Sequence, residues 1–283
     1  MSGMKSTVCA LVFLGLAAAA APRAAAQTAS IEFMAQATPS GGLQEPVRGF
    51  PFFLLSKSFA EIGKEAAASY PKPDMNAFID KLEVSTELKA WMKKNDWVTL
   101  RGEDFIQRLR PDDILTVPEF KKAYLERNSG NQSADFPEPK FKASDEKKNP
   151  EKFKKLSEAY TETIRHYIEA HPASTAEIDL SLVKVDPSPK WNAILGSHDS
   201  AVHQRTLDLA QSNYLVARAE TDLQGQGYIR GLAPGNYWLS TLDVPAVVGD
   251  ARPRWDVAVT VRAGEAKYVT LTNSNSVRAQ PTP

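Results

Sequence analysis

The chain has 283 residues, with 34 basic against 34 acidic side chains, 42% hydrophobic residues and a single cysteine. No stretch concentrates basic residues enough to hold a phosphate backbone, so nucleic acid is not an expected partner. Cys9, the lone cysteine, lies in the apolar N-terminal segment, which excludes a disulfide-stapled scaffold and thiol chemistry from the rest of the chain.

The first residues have the three parts of a secretory signal: Lys5, an apolar run from Val8 to Ala21, and the small residues Ala24, Ala25 and Ala26 before Gln27. That run is about fourteen residues, short of the roughly 18 needed to span a bilayer as a helix. A cleaved signal over 1–26 is therefore expected, with export to a periplasmic or extracellular compartment and no membrane span in the mature chain. Loss of Lys5 and Arg23 with the signal leaves 32 basic against 34 acidic residues.

Strand signals come first. Ile31, Phe33, Ala35 and Ala37 alternate with polar residues, which predicts a strand with one buried face. Pro39 to Gly42 reads as a turn, and Val47 to Leu55 as a second strand, with Pro51 marking an edge or a bulge.

The period then changes to that of helices. Ser58 and Glu61 form a capping box ahead of Phe59, Ile62 and Ala66. Further helices present Phe78, Ile79 and Leu82; Leu88, Trp91 and Met92; and Phe105, Ile106 and Leu109. Thr116 and Glu119 read as another capping box ahead of Phe120, Ala123 and Tyr124. The segment 128–149 is polar and has no apolar period, so it is expected to be a mobile loop. Asn149 and Pro150 then open a long helix with Phe153, Leu156, Tyr160, Ile164 and Tyr167 on one stripe, ended by His171-Pro172.

Ile178 to Val185 reads as a strand through Leu180, Leu182 and Val183, with a helical start as the alternative. Trp191 to Ala210 reads as a helix, with Ala193, Ile194, Val202 and Leu209 inward. Short strands follow at Tyr214–Glu220, Gly227–Arg230, Tyr237–Leu242, Trp255–Val261 and Lys267–Thr272, before a polar tail over 276–283 expected to be disordered.

One stretch is more specific. Thr221-Asp222-Leu223-Gln224-Gly225, then Tyr228, then Gly231-Leu232-Ala233-Pro234-Gly235-Asn236-Tyr237 combines an Asx turn with a Pro-Gly pair suited to the centre of a type II turn. This pattern resembles the carboxypeptidase regulatory-like family of transthyretin-like or carbohydrate-binding-like β-sandwiches found in exported bacterial proteins. The resemblance covers about sixty residues, Tyr214 to Thr272, and implies a sandwich fold without implying a catalytic or binding residue. Ile31 to Leu55 fits the family's first two strands, and the helical block between is a departure from it.

The expected architecture is thus α+β: a small antiparallel β-sandwich split over 27–57 and 213–275, interrupted by a mainly helical insertion over 58–212. Candidate chemistry is sparse. His166 and His171, like His198 and His203, are five residues apart, a spacing that converges on neither helix nor strand. No H-E-x-x-H or calcium loop is present, and no cofactor or metal is expected. The acidic pairs Glu103-Asp104 and Asp112-Asp113 read as helix-start charges. Gly225, Gly227 and Gly231 precede a strand and a turn, not the helix that a dinucleotide loop requires. Asn131-Gln132-Ser133 is a glycosylation sequon.

Among Trp91, Trp97, Trp191, Trp238 and Trp255, Trp238 is the one candidate ligand platform, since a buried Tyr237 would turn it outward. The functional expectation is an exported, non-enzymatic binding or scaffolding protein, with a carbohydrate or an envelope protein as partner. The alternatives are a hydrolase-like enzyme with its site in the insertion, drawing on His166, His198 or His203, and a purely structural envelope protein.

Overall fold

The structure, a computed structural model, describes residues 28–129 and 135–277. The signal segment with Cys9, the sequon Asn131 and the last six residues lie outside them. The chain divides at Ala60/Glu61 and Leu209/Ala210 into two compact units, one assembled from both ends of the chain and one from its middle.

The first unit is built on two β-sheets. β1 (Ala29–Ala37), β2 (Glu45–Pro46), β5 (Gln226–Leu232) and β8 (Ala266–Leu271) make one sheet; β4 (Leu215–Glu220), β3 (Pro51–Leu55), β6 (Gly235–Ser240) and β7 (Asp256–Val261) make the other, in that order. β1 shows strict alternation, with Ala29, Ile31, Phe33, Ala35 and Ala37 buried and the residues between them half-exposed. The inner faces meet in a shared core where Phe52 lies 5.0 Å from Phe33 and 5.7 Å from Trp255, ring centre to ring centre. Each such aromatic pair adds roughly 0.5–1.5 kcal/mol beyond its burial.

Three details differ from the sequence reading. All pairings are antiparallel except β1 with β8, which run parallel. The predicted strand over Val47–Leu55 forms only from Pro51 onward, as β3 of the second sheet; β2 precedes it in the first sheet, and the chain crosses between the sheets at Val47–Phe50. Pro51 therefore starts an interior strand rather than an edge. Its missing N–H is tolerated because β6 pairs β3 only from Phe53 onward, leaving Pro51 with Glu220 alone.

The motif that carries the family resemblance is visible in the β4–β5 connection. Asp222 Oδ1 accepts the amides of Gln224 (2.9 Å) and Gln226 (2.8 Å), closing the expected Asx turn. Gly225 takes φ +79°, and a Cβ there would sit 2.5 Å from the Ala35 carbonyl oxygen. The Pro234-Gly235 pair is not the predicted type II turn: Gly235 is the first residue of β6 and the left-handed glycine is Gly231, φ +73°. The crossover is held instead by Tyr237, whose hydroxyl donates to Ala233 O at 2.8 Å.

The second unit is helical. It contains most of α1 (Phe59–Ala68), then α2 (Met75–Asp80), α3 (Thr86–Asn95), α4 (Glu103–Arg108), α5 (Pro111–Thr116), α6 (Pro118–Asn128), α7 (Asp145–Lys148), α8 (Pro150–Ala170), α9 (Ile178–Leu182) and α10 (Ser188–Leu209). Its core gathers Leu88, Trp91, Met92, Phe105, Phe120, Tyr124, Ile164 and Trp191.

Here too the local chemistry corrects some expectations. Ile178–Leu182 is a helix, not a strand: Ile178 and Leu182, four apart, are buried, whereas Leu180 and Val183 are exposed. Thr116 is no N-cap; it ends α5 and donates to Asp112 O, while Val117 precedes Pro118 at the start of α6. Glu119 is then free to accept both the amide (2.7 Å) and the hydroxyl (2.6 Å) of Ser85, the N-cap of α3. The helix over Trp191 exists, but its inward stripe is Trp191, Leu195, Thr206 and Leu209, with Ala193 and Ile194 outward. Between 135 and 149, Phe136 packs on Tyr167 at 5.2 Å and Phe141 on Phe153 at 5.1 Å, contacts that isolated aromatics do not announce in a sequence.

Candidate functional site

The residues singled out from the sequence are dispersed. Trp255, Trp91 and Trp191 are core residues. Trp97 is half-buried under the Arg108 guanidinium, 3.9 Å from its ring centre. Trp238 lies on the outer face of the second sheet, half-buried, with Leu55 and Ala258 as its cross-strand neighbours.

The histidines do not converge. His166 lies exposed between Glu162 and Glu169, and His171 stacks on Tyr167 at 4.3 Å. His198 is engaged at both ring nitrogens: Nδ1 faces Asp199 Oδ1 at 3.0 Å and Nε2 faces Tyr70 O at 3.1 Å. Only the doubly protonated ring donates to both acceptors. The Asp199 carboxylate first, and the Tyr70 carbonyl second, raise its pKa above the ordinary histidine value. Among the described residues, no group of three or more His, Cys, Asp or Glu side chains could hold a metal.

The arrangement best suited to a ligand lies on the outer face of the first sheet. Register places Glu32 of β1 directly between Tyr228 of β5 and Tyr268 of β8. Residues opposite one another in a ladder share a face, so the three side chains form one row across the sheet. Both tyrosines are about half exposed (47% and 52%), large aromatic areas for an open sheet face. The next row holds Gln226, Met34 and Thr270.

With neighbouring strands about 4.8 Å apart, the two tyrosine Cα atoms lie about 10 Å from each other. That is about the span of two linked pyranose rings. Tyr228 donates to Gln226 Oε1 at 2.9 Å, which fixes its phenol. Desolvation, and then the neighbouring Glu32 charge, hold that phenol above its ordinary pKa. Two aromatic surfaces flanking a carboxylate, with amide and hydroxyl groups alongside, can stack on sugar faces and bond to their hydroxyls.

This row was missed in the sequence because its members come from opposite ends of the chain. Part of the signal was present: Val269 and Leu271 pointing inward put Tyr268 outward by parity.

No family model matches the chain, and no curated protein matches it. Solved structures give only weak likenesses. A crystal structure of a "putative carbohydrate binding protein" from Pseudomonas aeruginosa is 10% identical, with 87% of this chain and 89% of that one covered, at a TM-score of 0.25. The pilus backbone RrgB of Streptococcus pneumoniae is 11% identical over 86% of this chain and 40% of its own, at a TM-score of 0.20. Superposition this poor does not establish a common fold, so neither ligand nor role passes from those proteins to this one. Among the described residues, no helix is long and apolar enough to cross a membrane.

Proposed function

We propose that this chain is an exported, non-enzymatic binding protein of the carboxypeptidase regulatory-like kind, and that the outer face of its first sheet binds an extended neutral glycan. The row Tyr228–Glu32–Tyr268 carries this reading, because its spacing suits a chain of linked sugar rings laid across the strands. The Asx turn at Asp222 and the Tyr237 crossover support the family resemblance. The signal-like N-terminus supports export.

The test is isothermal titration of the full mature chain against a panel of soluble neutral polysaccharides. Tyr228→Ala and Tyr268→Ala should each weaken binding by about 5- to 30-fold, as expected for truncating an aromatic hot spot worth about 1–2 kcal/mol. Trp238→Ala, on the other sheet, separates the two platforms: a loss confined to that variant moves the site to Trp238. Silence across the whole panel, or binding indifferent to all three substitutions, overturns the glycan assignment. Fractionation of the native host should place the protein outside the cytoplasm with an N-terminus at Gln27; recovery only in the cytoplasm overturns the export assignment, and an exported chain that still begins at Met1 overturns the cleavage.

A further inference from the structure

In the helical unit, the segment 136–148 runs back along α8 and is pinned to it by aromatic contacts. Phe136 packs on Tyr167 at 5.2 Å, and Phe141 packs on Tyr160 at 5.9 Å and on Phe153 at 5.1 Å. Asp145 Oδ2 accepts the Lys142 amide at 2.9 Å, and Asn149 Oδ1 caps α8 by accepting the Lys152 amide at 3.0 Å.

Where this segment turns into α8, a cavity of about 290 Å³ opens, at the lower end of the range of about 300–1,000 Å³ for small-molecule sites. Phe141, Phe153 and Leu156 form an apolar wall, and each keeps part of its surface exposed. Lys140, Lys148 and Lys152 stand around that wall, all three exposed. A second cavity, of about 280 Å³, shares Lys140 and Leu156 with the first and reaches Ala159, Tyr160 and Thr163. Steps of three and four from Leu156 put those residues on one face of α8. Between Lys152 and Thr163 the helix rises about 16 Å, room for an alkyl chain of medium length.

Charge decides which end of such a molecule lies where. Residues 138–155 hold seven lysines against four acids, Glu138, Asp145, Glu146 and Glu151. Lys154 faces Glu158 at 4.0 Å, but the side chains of Lys140, Lys148 and Lys152 have no ion pair or hydrogen bond among the described residues. Asp145 is the one acid in the lining, and one of its oxygens is engaged by the Lys142 amide. Three accessible ammonium groups against one carboxylate leave the mouth of the cavity positive. Like charges gathered above a half-exposed apolar wall carry two costs, repulsion and wet apolar surface. One molecule with an anionic head and an apolar body relieves both.

From this arrangement we propose that the groove binds an amphiphile with a compact anionic head. Lys140, Lys148 and Lys152 hold the head, Phe141, Phe153 and Leu156 hold the start of the chain, and the chain continues along α8. The site is independent of the tyrosine row. Two sources share this chemistry, a fatty acid and a phosphate-bearing lipid fragment.

The experiment is calorimetric titration of the full mature chain, below micelle-forming concentrations, with octanoate and with octyl phosphate. The comparisons are 1-octanol, which has the chain without the charge, and inorganic phosphate, which has the charge without the chain. Octanoate binding alone identifies a carboxylate head and octyl phosphate alone a phosphate head; binding of both identifies a groove that reads charge only. Each comparison compound should bind at least tenfold more weakly. Lys148→Gln combined with Lys152→Gln should weaken binding by about 2- to 30-fold, and both positions are exposed, so folding is not at stake. Added salt should weaken it as well. Lys154→Gln, outside the lining, should leave it unchanged. The proposal is overturned by silence with both amphiphiles, the result expected if the lysine stems only cover the wall. It is equally overturned if 1-octanol or inorganic phosphate binds as tightly, or if the double lysine variant binds like the parent. Tyr268→Ala should have no effect; a matching loss there places the amphiphile on the tyrosine row and overturns the groove assignment.

Discussion

Gly227→Ala tests the packing on which the first sheet rests. Gly227 has no left-handed backbone, so the substitution introduces no φ strain. Its constraint is space: a Cβ would sit 2.2 Å from Phe33 Cζ and 2.7 Å from Cε1. Ordinary carbon contacts lie at about 3.5–4.0 Å, so the ring must retreat by about 1.5 Å. Phe33 is fully buried and edge-on to Phe52, which leaves it no free direction. Overpacking of this kind costs about 1–3 kcal/mol, and replacing a strand glycine by alanine returns about 0.5–1 kcal/mol. A net loss of about 1 kcal/mol should lower the urea midpoint of the sandwich by about 0.5 M.

The assay is urea unfolding combined with hydrogen exchange of the β1 and β5 amides, which reports on the sandwich separately from the helical unit. Phe33→Leu makes the decisive comparison. Leucine leaves room for the new methyl, so the double variant should be more stable than the sum of the two single losses by about 1–2 kcal/mol. Additive losses would refute the claim that the Phe33 ring is what excludes a side chain at 227.

Two further outcomes follow from the same contacts. The raised pKa of His198 means that its contribution to stability is fully present below the ordinary histidine value near 6.5, and is lost as pH rises through the higher folded-state value. Asp199 and the Tyr70 carbonyl favour the cation while desolvation and Lys72 oppose it, so the urea midpoint of the helical unit should fall as pH rises above the ordinary histidine value, and His198→Gln should flatten that slope; an unchanged slope refutes the assignment. Asp256→Ala should cost about 1 kcal/mol by removing the acceptor of the Phe59 and Ala60 amides, with Asp256→Asn milder, and faster exchange of those two amides is the direct readout.

Much of the fold was legible because strands and helices differ in period. The alternation in β1 and the three-and-four stepping of α8 come from burial on one side, and both are present in the structure. The Asx turn at Asp222 was legible for a local reason, a short side chain reaching amides two and four residues ahead. Misreadings came where one short apolar run fits both periods, as at Ile178–Leu182, or where a sequence box competes with a tertiary partner, as Glu119 does in turning to Ser85. The candidate site was the least legible part. Trp238 could be assigned an outward direction by parity alone, whereas the meeting of Glu32 with Tyr268 depends on a parallel register between the first strand and the last. Nothing local encodes that register.

The pairing of strands from the two ends of the chain sets an order of events in time. Leu55 and Leu215, partners in the β3–β4 ladder, stand 160 residues apart, and β8 completes the first sheet later still. At about 5–20 residues per second of synthesis, β3 waits roughly 8–32 s before its first long partner exists, and β1 longer. During that interval their apolar faces and unpaired edges are open to wrong associations. The intervening helices, rich in local contacts, can settle while the sandwich is still incomplete. A chain built this way favours whatever keeps its early strands extended and unengaged until its last residues emerge.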